Sequence, residues 1–172
     1  MVHSISPLGA IHTAISLVPV VAGIHGFARY GKIDAATRSG KIYLVGLTLS
    51  VITSFGISST GGLNRGHAFG LLVLLVAFGG LFASRPTFLG RLAPYLSAFG
   101  LSFSFFLSLV PGTNETLTRL PPSHPLADGP QSPAVLAVLL LWFGLFIVGF
   151  AAQCWLIHVR NKGVVRASTR ST

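Results

Sequence analysis

Val135–Ile157 reads VLAVLLLWFGLFIVGFAAQCWLI, 23 residues without a charge, and His158, Val159 and Arg160 follow at once. As a helix, a run of this length crosses about 30 Å of hydrocarbon. Four further apolar runs precede it, Leu8–Phe27, Ile42–Ser59, His67–Ala83 and Leu92–Val110, each of roughly 17 to 20 residues. The expected fold is therefore all-α: an integral membrane bundle of five transmembrane helices forming a single membrane domain over residues 1–172.

The charges between the runs fix an expected threading. Arg29, Lys32, Arg38 and Lys41 separate the first two runs, and Arg85 and Arg91 separate the third and fourth. Arg160, Lys162, Arg166 and Arg170 follow the fifth, so ten of the 12 Lys and Arg residues fall on one side. Arg65 and Arg119 fall on the other. Short basic loops stay in the cytoplasm, which puts the N-terminus outside and the C-terminus inside. Tyr30, Tyr43, Tyr95 and Trp155 lie at run ends on the basic side and read as interfacial anchors.

Of the 172 residues, 51% are hydrophobic and 9% charged, and the mean hydropathy is +0.74. A soluble domain carries about 25% charged residues. The net charge of +9 is spread over short loops, which excludes a nucleic-acid face and suits contact with anionic headgroups. The one cysteine, Cys154, rules out an intrachain disulfide. The first apolar stretch is longer than the core of a secretory signal, so it is expected to stay as a helix; a bacterial inner membrane is the expected location.

Small residues mark packing faces: Gly46, Ser50, Ser54 and Ser58 in the second run, Gly66, Gly70, Gly79 and Gly80 in or beside the third, and Ser97, Gly100, Ser104 and Ser108 in the fourth. Such faces let helices approach closely in lipid. Pro19 is expected to kink the first helix. The one long connection, residues 111–132 on the outer side, is rich in proline; Glu115 and Arg119 would pair there if Asn114 caps a helical turn.

Chemistry has few candidates. The three acids, Asp34, Glu115 and Asp128, all fall in loops, which argues against a carboxylate relay across the membrane. No nucleophile motif, phosphate loop or metal helix occurs. Histidine remains, and imidazole is the usual axial ligand of haem b. His12 and His67 are expected in the outer half, His25 and His158 in the inner half, as two cross-helix pairs. His12 and His25 lie about 20 Å apart along a helix but roughly 140° apart around it. Interfacial or hydrogen-bonded roles compete with ligation. Weaker alternatives are a soft-metal pair, Cys154 with His158, and an outer zinc or copper cluster of His3, His12, His67, His124 and Glu115.

Arg38-Ser39-Gly40-Lys41-Ile42-Tyr43, followed one span later by Gly66-His67, resembles a family of uncharacterised bacterial predicted multispan membrane proteins. That family carries a basic-x-Gly-basic-x-Tyr lead-in to one helix and a Gly/Phe-His lead-in to a later one. The likeness covers the first three helices and implies a bundle loosely like cytochrome b, with His67 the matching position. The family also has a histidine just before the basic segment, where this chain has Ala36-Thr37. Three functions stay open: haem-binding or quinone-interacting electron transfer through His12 and His67; a non-enzymatic accessory or assembly subunit beside other membrane subunits; and a small-solute channel or carrier lined by Ser50, Ser54 and Ser58.

Overall fold

A computed structural model describes residues 7–57, 62, 64–85 and 87–168. His3, Ser58, Ser59 and Arg170, named above, lie outside the described residues. The described chain holds five α-helices: α1 (Pro7–Tyr30), α2 (Arg38–Ser54), α3 (Arg65–Phe82), α4 (Ala93–Arg119) and α5 (Pro133–Ser168), with a 3-10 turn at Thr87–Leu92 before α4.

Neighbours in sequence pack antiparallel, because contacts that climb one helix descend the next. His12 and Ser16 of α1 meet Thr53 and Ser50 of α2. Further along, Gly46 backs onto Pro19. Val51 and Ser54 of α2 meet Gly70 and His67 of α3. Gly80 of α3 crosses Gly100 of α4. Between α4 and α5, Phe99, Phe103 and Phe106 meet Phe150, Phe146 and Phe143 in that order. An up-and-down bundle results, and it gathers Arg29, Lys32, Arg38, Lys41, Arg85, Arg91 and Arg160 at one end and Arg65 and Arg119 at the other.

Among the described residues four helices are long and apolar enough to cross a membrane: α1, α3, α4 with the 3-10 turn from Phe88, and α5 as far as Asn161. α2, with 17 residues, is about 26 Å long and is the shortest. It is also the most enclosed, flanked by α1 and α3 and reaching α4 through Tyr43. Tyr43 is a correction to the expected interfacial anchors: it is fully buried, and its hydroxyl bonds Ser104 Oγ at 2.8 Å. Tyr30 and Trp155 are exposed as expected.

α4 does not stop at Val110. It runs through Pro111 to Arg119, so Glu115 and Arg119 pair on the continuing helix at 2.6 Å rather than on a separate turn capped by Asn114. Pro111 removes one N–H, yet the ladder resumes beyond it. The connection that follows, residues 120–132, folds back on α4 through Ala127 N–H to the Leu117 carbonyl at 3.0 Å, and Ala127 is buried.

Glycine sets the closest crossing. A Cβ on Gly100 would lie 2.5 Å from the Gly80 Cα and 2.9 Å from the Val76 carbonyl, so backbone touches backbone. Gly144 of α5 is the opposite case, with nothing within 4 Å of an added Cβ. Gly100→Ala is therefore expected to destabilise the purified protein by about 1–3 kcal/mol through overpacking. Gly144→Ala is expected to hold or slightly raise its melting temperature, because alanine favours a helix by about 1 kcal/mol over glycine. Thermal unfolding in detergent checks both.

Candidate functional site

His67 sits at the third position of α3 and is 4% exposed. Its backbone N–H donates to Asn64 Oδ1 at 3.1 Å, and its Nδ1 accepts from the Asn64 N–H at 3.1 Å, closing a reciprocal cap. Nε2 lies 3.1 Å from the Ser54 carbonyl oxygen, and the ring stacks on Phe55 at 4.6 Å. A backbone N–H can only donate and a carbonyl can only accept, so the ring is the Nε2–H tautomer. Both nitrogens are occupied, and they tie the start of α3 to the end of α2.

His12 belongs to a second network between α1 and α2. Thr53 O–H donates to the carbonyls of Leu49 at 2.9 Å and Ser50 at 3.0 Å, so its oxygen accepts from His12 Nδ1–H at 2.9 Å. His12 Nε2 then accepts from Ser16 O–H at 3.4 Å, and Ser16 Oγ accepts from Ser50 O–H at 2.6 Å. Every proton has a destination. Nε2 of His12 is the one ring nitrogen of His12 and His67 whose hydrogen bond is long.

The inner pair is placed differently. His25 is exposed, edge-on to Tyr30 with ring centroids 6.4 Å apart, and His158 is exposed near the end of α5. Cys154 is free and half-buried. Among the described residues no group of three or more His, Cys, Asp or Glu side chains is placed to hold a metal.

Three polar pairs carry signals the sequence reading passed over. Gln153, 4% exposed, accepts from Ser102 O–H at 3.0 Å. Trp142 Nε1–H donates to Thr113 Oγ1 at 3.2 Å. Tyr43 and Ser104 form the third. A lone amide inside the apolar run of α5 was the available clue to Gln153, since a polar group in lipid needs a partner. Asn114 Oδ1 is the exception, buried without a partner among the described residues.

The Arg38–Tyr43 segment also has a structural reason. Thr37 caps α2 by accepting the Gly40 N–H at 3.1 Å, while its own N–H and hydroxyl donate to the Asp34 carbonyl. A Cβ on Gly40 would run into that carbonyl. Tyr43 then enters the core one turn later.

Two hollows are present. An apolar groove of about 310 Å³ lies between α1 and α2, over Val18, Val45 and Leu49, with Lys41 at its basic end. The other, of about 370 Å³, opens at the basic end between the α1–α2 turn, the end of α3 and the start of α4, and is lined by Lys32, Asp34, Ser84, Arg85 and Ser97 among others. Comparison with protein-family models, curated proteins and solved structures finds no match for the chain.

Asp34 bonds Lys32 at 3.1 Å and accepts the Ala36 N–H at 3.0 Å. Burial works against its carboxylate, but the Ala36 N–H and the Lys32 ammonium outweigh it and hold the pKa below the ordinary value. Stability from Asp34 is thus fully present above the unfolded carboxylate range, near about pH 4, and is lost as pH falls through the lower folded value. Asp34→Asn is expected to flatten that acid limb in melting temperatures measured across pH 3 to 6.

Removing the His67 ring leaves the Asn64 N–H unpaired and takes one of two donors from the Ser54 carbonyl, which keeps the Ile57 N–H at 3.0 Å. His67→Ala is expected to cost about 1–3 kcal/mol of stability. Nitrogen NMR of labelled protein is expected to show the Nε2–H form of this ring.

Proposed function

We propose that this chain is a five-span bacterial inner-membrane protein, with its N-terminus outside, that serves as a non-enzymatic accessory or assembly subunit of a membrane complex. All five helices being antiparallel supports the fifth crossing: α2 runs beside α1 and α3 through the same thickness. The basic loops supply the orientation.

The observation that carries the reading is the outer face of α5. Only 6% of its most apolar stretch is buried, and its contacts with α4 run along one side, through Trp142, Phe143, Phe146, Phe150 and Gln153. On the opposite side of the helix lie Leu141, Gly144, Val148, Ala151, Ala152 and Trp155, all exposed, with Val148 and Trp155 each 69% so. Within the bundle, small residues are used for close backbone approach, as at Gly80 and Gly100. Gly144, Ala151 and Ala152 form a similar surface that nothing in the described chain occupies, and an apolar helix of another subunit fits it.

Haem or quinone electron transfer is supported less. His67 would have to give up the bonds that join α3 to α2, and His25 and His158 lie on the outside of their helices. The solute-pathway reading loses Ser50 and Ser54, whose hydroxyls bond Ser16 and the Val51 carbonyl.

The test is mild detergent extraction at native expression, followed by native electrophoresis and mass determination. The chain is expected to run with a second polypeptide. Gly144→Leu is expected to release that partner while leaving the melting temperature of the isolated chain unchanged. A wild-type chain running alone would contradict the reading. A reduced-minus-oxidised spectrum is expected to be flat, and a stoichiometric b-type signal lost in His12→Ala would restore the electron-transfer reading.

A further inference from the structure

The 370 Å³ pocket at the basic end is built from three separate segments of chain. The α1–α2 turn brings Lys32 and Asp34, the segment just beyond α3 brings Ser84 and Arg85, and the second turn of α4 brings Ser97. Lys32 and Asp34 neutralise each other across 3.1 Å. Arg85 is different. Its guanidinium rests on the Phe82 ring, 4.6 Å from the centroid, and among the described residues no carboxylate lies within salt-bridge reach of it.

Stacking leaves the edge of the guanidinium, with its fork of N–H donors, free for a planar or tetrahedral oxyanion. Ser97 adds a hydroxyl, while the Ser84 O–H is spent on the Leu81 carbonyl at 3.0 Å, and Ile33, Leu81 and Ala98 give an apolar wall. Arg29, Arg38, Lys41 and Arg91 surround this end of the bundle, where Asp34 is the one described acid, so the field over the pocket is positive.

We infer that this pocket binds a phosphate-bearing anion, with Arg85 as the charge that holds it and Ser97 as a hydrogen-bond donor. The inference rests on reading the basic end as lying at a membrane interface, where the phosphate of an anionic lipid is at hand and the apolar wall meets the upper part of its chains. Free inorganic phosphate offers the same chemistry from solution.

Native mass spectrometry of the full chain, exchanged with phosphatidylglycerol or phosphatidylcholine, tests it, with inorganic phosphate added as competitor. The wild type is expected to retain phosphatidylglycerol over phosphatidylcholine by about fivefold or more, the ratio that one basic group near a membrane surface supplies. Arg85→Gln is expected to remove that preference, and Arg65→Gln, at the far end, to keep it. Ser97→Phe, which fills the cavity without changing charge, is expected to remove it too. Competition by phosphate, absent in Arg85→Gln, would assign the free ion, and retention of lipid despite phosphate would assign the headgroup. Equal retention of both lipids by the wild type, or an undiminished preference in folded Arg85→Gln and Ser97→Phe, would overturn the site and leave the membrane reading standing. A chain that fails to insert into vesicles would overturn both.

Discussion

A polar side chain inside an apolar bundle has no water to return to, so it must find its partner on its own helix or a neighbouring one. The described structure is organised by that constraint. Tyr43 reaches Ser104, His12 reaches Thr53 and Ser16, His67 reaches Asn64 and Ser54, and Gln153 reaches Ser102. The His12–Ser16 and His67–Asn64 bonds lie within one helix or its cap; the others join two helices, and together those link all five. Between helices in lipid such bonds are individually modest, about 0.6 kcal/mol on average. Their value is in register: a helix displaced by one turn would lose its bond and leave a polar group in an apolar layer.

Around these fasteners, packing supplies the attraction. Backbone contact at Gly80 and Gly100 draws α3 against α4, and six phenylalanines at helical spacing line the α4–α5 seam with centroid separations of 5.2 to 6.3 Å. Aromatic pairs of this kind contribute about 0.5–1.5 kcal/mol beyond their burial. The paired polar groups inside are thus committed to structure, and the surfaces left over include the outer face of α5 and the basic end.

The helices were legible because hydrocarbon thickness and charge alternation act on long stretches of sequence, where single exceptions average out. Ends were less so: the fourth run seemed to stop at Pro111, yet one missing N–H did not end α4. Tyr43 misled because a tyrosine near a basic loop satisfies the interfacial rule; only the position of Ser104, 61 residues away, shows that it points inward. The histidines stand out in the sequence, but a lone imidazole in an apolar run gives no sign of its partner. Thr53 and Ser54, common residues in a small-residue stripe, supply those partners, and spacing alone could not separate a hydrogen bond from a ligand.

The central claim is that the polar side chains between helices hold the bundle rather than serve a reaction. A double-mutant cycle on Tyr43→Phe and Ser104→Ala, read by reversible unfolding in a bilayer mimetic, tests it most directly. The account predicts that the two substitutions couple, by about 0.6–1.7 kcal/mol, so that the second costs little once the first is made. Strict additivity, with each hydroxyl dispensable on its own, would contradict it.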